Sequence, residues 1–548
     1  MEKLKPKLFS VMKTYSRQQF GKDVIAGIIV AIIALPLSIA LALASGVTPE
    51  RGLYTAIVAG FVISFLGGSR VQVSGPTAAF ASIVAGIVAR NGMEGLAVAT
   101  IMAGIILIIM GLLRFGTLLR FVPYTITTGF TLGIAVTIFI GQIKDFLGLT
   151  FKSSPIETME KLAACVKSIS SINLSALLIG AIALLVLIVW PKITTKVPGS
   201  IVAILITALL VKLFHMEVNT IGSLYEISSK LPSFHFPNIN LTMINRLVPD
   251  AISIAILAGV ESLLSCVVAD GMIGSRHRSN MELVAQGTGN IFSSLFGGIP
   301  ATGAIARTAA NVKNGGRTPI AGMVHSVTLL IILVVCMPYA SLIPMPTIAA
   351  ILFMVAYHMS EWKGFVELIK KSPKSDIMVL LVTFLLTVLF DLVVAIEIGL
   401  LMAAILFVKR MSDVTDVQRW REDMTDSLDD EGNETELKPI PRHTVVYEIN
   451  GPMFFGAADK FLKISIADPK IHTIILRMRS VTAMDINALN ALQKVLKSCQ
   501  KKNVTLLLSH VQEQPYRMMQ KAGFDKEVGL ENFCANIDKA LERAKQIG

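Results

Sequence analysis

The recurrence of apolar runs long enough to cross a bilayer constrains this chain more than any other feature. A transmembrane helix needs roughly 17–25 predominantly apolar residues, and runs of this kind recur from residue 24 to residue 408. In hydrocarbon such runs fold as helices, because a helix satisfies its own backbone N–H and C=O groups. The composition agrees, since 53% of the residues are hydrophobic and 16% are charged. These values exclude a soluble enzyme.

We predict fourteen membrane segments, of which segments three and ten are too short to cross the bilayer unaided. An even number of crossings places both termini on one side. The short loops on that side hold most of the basic residues, which predicts cytoplasmic N- and C-termini. The segments are 24–44, 53–67, 76–89, 95–113, 121–141, 173–190, 198–213, 249–270, 283–297, 302–312, 319–337, 345–357, 376–390 and 392–408.

Two stretches seven segments apart interrupt the apolar pattern with Gly and Pro. They are residues 73–79 (VSGPTAA) and 298–304 (GIPATGA). A broken helix is tolerated in a membrane where its freed backbone groups line a polar cavity. A matched pair of breaks in two halves of a chain points to the binding site of a secondary transporter. Since helix N-termini attract negative charge, the two stretches predict an anion site.

The composition changes after residue 410. Residues 411–442 are polar and acidic, and the remainder alternates β-type runs (445–449, 473–478, 504–509) with helical patterns (457–466, 486–501, 516–522, 531–545). This alternation predicts a small cytosolic α/β domain. The predicted domains are therefore a cytosolic N-terminal segment (1–23), a transmembrane transport domain (24–410), an acidic linker (411–442) and the α/β domain (443–548).

Charge and cysteine usage narrow the partners. The net charge of +12 lies in short loops at alternating span ends, which argues against a nucleic-acid partner and favours membrane lipid. The five cysteines are scattered without a C-x-x-C pair, so neither a disulfide framework nor a zinc site is indicated. We expect no cofactor, and the absence of a GxxxxGK[ST] motif argues against ATP-driven transport.

Four stretches resemble the SulP anion permeases, bacterial relatives of the animal solute-carrier sulfate and anion exchangers. They are residues 45–54 (SGVTPERGLY), 73–77 (VSGPT), 259–270 (GVESLLSCVVAD) and 297–311 (GGIPATGAIARTAAN), the last leading into 315–322 (GGRTPIAG). The C-terminal domain resembles the STAS domain of anti-sigma-factor antagonists. The resemblance implies an all-α membrane domain of fourteen segments in two inverted repeats of seven, with core and gate domains, plus the small cytosolic α/β STAS domain. Segments one, three, eight and ten would belong to the core.

The expected anion site lies between the two half-helix N-termini. Its predicted residues are Ser74, Gly75, Thr77, Ala78, Thr302, Gly303, Ala304 and Arg307. Backbone N–H groups and the Thr hydroxyls would donate to the anion, and the Gly residues would allow close approach. The alternative is that Gly and Pro only permit helix packing.

Two intramembrane charges accompany the breaks. Arg307, at a depth that costs roughly 2.5–3.5 kcal/mol, would attract the anion. Glu261 matches the position where the family places an acid linked to H⁺ or Na⁺ coupling, and Ser265 would offer an oxygen to Na⁺. The alternative is a permanent Glu261–Arg307 ion pair. Ser38, near Pro36, would either line the cavity or serve packing.

In the STAS domain, Asn487 stands where anti-sigma-factor antagonists carry a phosphorylated Ser. This departure argues against a phosphorylation switch and predicts that Asp485 is a helix N-cap.

Together these features predict a secondary active anion transporter, with sulfate first, coupled to H⁺ or Na⁺ and working by alternating access. A C4-dicarboxylate or bicarbonate symporter is the alternative within transport. A membrane scaffold that signals through the STAS domain is the alternative outside it. The resemblance further implies a homodimer, with a cytosolic partner for the STAS domain. The cell inner (plasma) membrane is the expected location.

Overall fold

A computed structural model describes residues 4–117, 123–151, 155, 157–194, 197–226, 228–390, 392–419, 440–454 and 470–547. The predicted helix at 457–466 and residues 420–439 of the predicted linker lie outside these ranges. The chain divides into two compact units, Met1–Leu400 and Leu401–Gly548.

Helices build the first unit, and short extended pieces precede two of them. The helices are α1 (Lys7–Val11), α2 (Arg17–Ala44), α3 (Pro49–Leu66), α4 (Ala81–Leu112), α5 (Tyr124–Leu147), α6 (Thr158–Lys167), α7 (Leu174–Ile193), α8 (Gly199–Leu213), α9 (Ile221–Leu224), α10 (Leu241–Ile273), α11 (Ser279–Leu295), α12 (Ile305–Lys313), α13 (Pro319–Cys336), α14 (Met345–Met359), α15 (Trp362–Lys371), α16 (Lys374–Leu389) and α17 (Leu392–Val414). The extended pieces are β1 (Ser74–Gly75) and β2 (Thr302–Gly303).

Each of the fourteen predicted segments coincides with a helix of this series. Segments three and four join in α4, where Gly92 has a φ of 66° and interrupts the helix. Seven segments lie in α2–α8 and seven in α10–α17, once the short helices α6, α9 and α15 are set aside. Six of the described helices are both long and apolar enough to cross a membrane alone, judged by length and composition.

The helices of the first unit pack in two groups. In one group α2 and α3 pack on α13, while α4 packs on α10 and α11; α12 contacts both α2 and α10. This group contains predicted segments one, three, eight and ten, the expected core. In the other group α5 packs on α14 and α16, and α7 packs on α8 and α14.

The second unit contains a five-stranded sheet with the order β3-β4-β5-β6-β7. Its strands are β3 (Asp416–Arg419), β4 (Thr444–Asn450), β5 (Thr473–Ser480), β6 (Thr505–Ser509) and β7 (Phe533–Cys534). The neighbours β4 to β7 are parallel, and β3 is antiparallel to β4. The accompanying helices are α18 (Ile486–Lys501), α19 (Glu513–Lys521), α20 (Phe524–Val528) and α21 (Ile537–Ile547).

Strand β3 lies inside the segment that the sequence assigned to the linker, and α17 extends four residues beyond 410. The residues of β3 are mostly exposed. An edge strand of this kind is held by backbone pairing and carries polar side chains, so it has no apolar pattern to detect. The helical pattern predicted over 531–545 is wrong at its start, because residues 533–534 form strand β7 and the helix begins at Ile537.

Candidate functional site

The two broken stretches meet in space. Strands β1 and β2 pair antiparallel, with Ser74 opposite Gly303 and Gly75 opposite Thr302. The Ala304 N–H donates to the Val73 carbonyl at 3.0 Å. This pairing satisfies backbone groups that would otherwise be orphaned in the membrane domain. It also brings the starts of α4 and α12 together, as the sequence predicts.

Both helix starts leave first-turn N–H groups without intrahelical acceptors. A short 3₁₀ turn at Ala78–Phe80, with Thr77 as its N-cap, leads into α4, and Ala304 is the N-cap of α12. Neither cap supplies a side-chain hydrogen bond to these groups. Ile305 and Ala306 are exposed, whereas Ala78 is buried. The start of α12 is therefore the more accessible of the two.

The structure gives Thr302 and Gly303 a different role from the predicted one. The Gly303 N–H donates to Ser262 Oγ at 3.0 Å, and Ser262 Oγ lies 2.7 Å from Thr302 Oγ1. Thr302 Oγ1 in turn donates to the Ala258 carbonyl at 3.2 Å. Strand pairing and α10 occupy these donors and that of Ala304. The remaining first-turn N–H groups of this half begin at the next two residues, Ile305 and Ala306, which are exposed.

Arg307 is a buried cation with unused hydrogen-bonding capacity. Its side chain is 3% exposed. Its Nη2 donates to the Pro76 carbonyl at 3.1 Å and to Ser38 Oγ at 3.3 Å. Its Nη1 has no hydrogen-bond partner among the described residues. A Cβ at Gly75 would overlap Nη1, so a larger residue there would displace the guanidinium. Ser38 was expected either to line the cavity or to serve packing. In the structure it accepts a hydrogen bond from Arg307.

Glu261 projects from the middle of α10 toward the start of the other half-helix. Its Oε2 accepts from Thr77 Oγ1 at 3.2 Å, and its side chain is partly exposed. Among the described residues no ion pair joins it to Arg307, so the alternative of a permanent pair is absent from this conformation. Ser265 is fully buried, and its hydroxyl lies 3.5 Å from Thr308 Oγ1. Ser265 therefore bonds Thr308 in this conformation, and its role toward Na⁺ stays a prediction.

A buried polar cluster on α11 was missed in the sequence. Glu282 is fully buried, and its two oxygens accept from Gly68 N–H (2.8 Å), Ser69 N–H (3.1 Å), Gln72 Nε2 (2.8 Å) and Gln286 Nε2 (2.9 Å). Segment nine was predicted to begin at residue 283, which placed Glu282 in a loop.

The same face of α11 holds both broken stretches. Gln286 Nε2 donates to Ser74 Oγ in β1 at 3.1 Å. One turn later, Asn290 exchanges two hydrogen bonds with the backbone of Ala301, just before β2, at 2.8 and 2.9 Å. Polar residues every four positions, at 282, 286 and 290, are the sequence signal for this stripe.

Asp23 secures the start of α2 in a similar way. Its fully buried carboxylate accepts from Thr318 Oγ1 at 2.6 Å, Arg317 N–H at 2.9 Å and the Tyr15 hydroxyl at 3.0 Å. Burial, followed by the Asp23 charge, raises the pKa of Tyr15 to about 12. Tyr15 therefore remains a hydrogen-bond donor at neutral pH.

The assembled site combines two helix N-termini, one cation that pairs with no carboxylate of the described residues, and one partly exposed acid. This arrangement is suited to binding an anion by electrostatics. Among the described residues, no three His, Cys, Asp or Glu side chains cluster as metal ligands would.

In the second unit Asp485 accepts from the Ala488 N–H at 2.8 Å, which confirms it as the N-cap of α18.

Family models and known proteins match most of this chain. Residues 20–383 match the model of the sulfate permease family, and residues 435–540 match that of the STAS domain. A putative sulfate transporter of Bacillus subtilis, YvdB, is 42% identical over 96% of this chain and 98% of its own length. The bicarbonate transporter BicA of a Picosynechococcus species is 29% identical over 95% of this chain and 94% of its own. A murine anion transporter, solute carrier 26 family member A9 in the inward-facing state, shares the fold, with a TM-score of 0.88 at 19% identity over 99% of this chain and 94% of that one.

Proposed function

Because this chain belongs to the sulfate permease family and is an anion transporter of that family, we propose that it is a secondary active transporter with sulfate as its first substrate. One observation carries the proposal. Arg307 is buried against β1, has no carboxylate partner among the described residues, and has an Nη1 without a hydrogen-bond partner there. A buried cation of this kind is costly unless an anion compensates it. The two helix N-termini beside it add to the attraction.

We place the coupling ion at Glu261. A carboxylate near the anion site opposes anion binding while it is charged, and H⁺ or Na⁺ at this carboxylate removes the opposition. The single hydrogen bond from Thr77 leaves the carboxylate partly exposed and able to take up such an ion. Loading both ions and moving the core group past the gate group would give symport by alternating access.

Bicarbonate is the second candidate substrate, followed by C4-dicarboxylates. The similarity to BicA favours bicarbonate. Among the described residues of the site, Arg307 is the single cationic side chain. One positive charge can neutralise a singly charged anion fully and a doubly charged anion only in part. Sulfate ranks first because of the greater similarity to a putative sulfate transporter.

The basic short loops support an inner (plasma) membrane location with both termini in the cytosol. We further propose that the chain forms a homodimer and that its STAS domain binds a cytosolic partner. Asn487 is exposed at the start of α18 and has no hydroxyl to phosphorylate, so this partner would be recognised without a phosphate at that residue.

Uptake into proteoliposomes tests the function. Radiolabelled sulfate, bicarbonate and succinate are offered in turn, while the pH and Na⁺ gradients are varied independently. Accumulation of one anion, driven by one of the gradients, supports the proposal. Absence of uptake for all three anions, with a folded protein and an intact STAS partner, would support the scaffold instead.

Arg307→Ala should weaken the apparent anion affinity by about 10- to 100-fold, because one or two charge-assisted hydrogen bonds are lost. Arg307→Lys retains the charge, so its apparent anion affinity should lie between those of Arg307→Ala and the wild type. Arg317→Ala is the matched control, since this Arg lies on the loop after α12 and bonds the backbone of residues 312 and 316. Normal affinity in a folded Arg307→Ala protein would refute the role of Arg307.

A further inference from the structure

An apolar crevice lies between α8 and the helices α2, α3 and α13, apart from the anion site. Its volume is about 360 Å³. Residues on each wall include Leu35 and Ile39 of α2, Leu53 of α3, and Ala208 of α8. No charged side chain lines it. We call this space the α2–α8 crevice.

Its size and lining determine what can fill it. A buried water needs two to four polar partners, and an apolar cavity of about 150 Å³ stays dry and binds a molecule such as benzene. The α2–α8 crevice is more than twice that size and equally poor in polar groups. It therefore favours an apolar ligand larger than benzene.

The mouth of the crevice is continuous with the surface that faces lipid. Leu205 is 64% exposed and Tyr339 is 70% exposed, and both line the crevice. Leu209, one turn beyond Leu205 on the outer face of α8, is 64% exposed. Large apolar side chains on a membrane helix contact acyl chains, and a Tyr at a helix end is typical of the headgroup level.

We propose that the α2–α8 crevice binds one acyl chain of a membrane phospholipid, with the headgroup beside Tyr339. The chain enters between Leu205 and Tyr339 and lies against Leu35 and Ile39. In the bilayer the chain gains dispersion contacts by filling space that no protein side chain occupies.

The bound chain lies one helix away from the anion site. Ile39 lines the crevice, whereas the preceding residue, Ser38, accepts a hydrogen bond from Arg307. Successive residues of an α-helix lie about 100° apart around its axis, so the chain and Arg307 contact neighbouring faces of α2. A chain wedged there would resist sliding of α2 past α8; this step rests on the proposed transport function.

Photo-crosslinking of the full chain in liposomes tests the binding site. The probe is phosphatidylcholine with a diazirine on one acyl chain, and labelled peptides are mapped by mass spectrometry. Labels should concentrate in residues 201–208 and 332–343. Ala208→Phe fills the crevice and should reduce this labelling severalfold, because the ring occupies the space of the acyl chain. Leu209→Phe, the adjacent residue facing outward, should leave it unchanged.

Three results would overturn the binding site. They are equal labelling of all lipid-facing helices, undiminished labelling in a folded Ala208→Phe protein, and labelling by a free diazirine fatty acid but not by the phospholipid. If Ala208→Phe does not fold, Cys336→Trp replaces it, because Cys336 lines the crevice and is exposed. Crosslinking needs no transport, so it stands if the proposed function fails. Unchanged uptake in the filled variant would overturn only the effect on sliding.

Discussion

Glu261 and Glu282 are two acids inside the same group of packed helices, and their surroundings differ. Glu282 is fully buried and accepts four hydrogen bonds, two from backbone N–H groups and two from Gln side chains. Glu261 is partly exposed and accepts one hydrogen bond, from the Thr77 hydroxyl. One acid is held by its surroundings from several directions, and the other is held by a single weak contact.

This difference fits a structural role for Glu282 and the proposed ion-binding role for Glu261. Moving Glu282 would leave four donors unpaired, each at a cost of about 1–3 kcal/mol, so this acid fixes the loop after α3 and, through Gln286, the Ser74 side chain of β1. Moving Glu261 costs one hydroxyl bond. An ion that arrives and departs during each cycle needs the second kind of site.

Glu282→Ala should have the largest effect. Four buried donors lose their acceptor, which predicts a loss of about 4 kcal/mol or more in folding stability. The measurement is the thermal unfolding midpoint and the monodisperse yield of the purified protein. Glu367→Gln, at an exposed acid paired with Lys371, is the control and should unfold like the wild type. A Glu282→Ala protein of normal stability would contradict the supporting role.

Glu261→Gln should leave the fold intact and remove the ion dependence of uptake. The amide oxygen still accepts from Thr77, so we expect a stability change within about 1 kcal/mol. Because the amide cannot gain or lose a charge, anion uptake should no longer respond to the pH or Na⁺ gradient. Initial rates in proteoliposomes at varied gradients measure this. If the variant keeps the wild-type dependence, the coupling ion binds elsewhere.

Thr77→Val should have the smallest effect. It removes the hydroxyl donor to Glu261, worth about 1 kcal/mol. The H⁺ or Na⁺ concentration that gives half-maximal uptake should therefore change by about fivefold. Thr302→Val is its counterpart in the other half. Since the Thr302 hydroxyl bonds Ala258 and Ser262, that substitution should lower stability and leave the ion dependence in place. If both variants change the ion dependence of uptake equally, Thr77 and Thr302 do not have the different roles described here.

The sequence predicted the parts of the site that interrupt a strong pattern. Gly75 and Gly303 stand out because Gly and Pro break apolar runs, and Arg307 and Glu261 stand out because charge is rare in such runs. Glu282 gave no such signal, since it lies at a helix start where acids are common. In the second unit, Asp485 was predicted as an N-cap from its position, whereas β3 has no apolar periodicity.

The sequence by itself determined the number and order of the membrane segments, the two breaks and the α/β character of the second unit. These features follow from local chemistry, because hydrocarbon demands long apolar helices and Gly and Pro disrupt them. Only the tertiary structure decided which donors remain available to an anion. Pairing of β1 with β2 and the contacts from α10 occupy Thr302, Gly303 and Ala304, whereas Arg307 retains a nitrogen without a partner among the described residues. Hydrogen bonds between residues more than 200 positions apart set this outcome, and no local pattern records them.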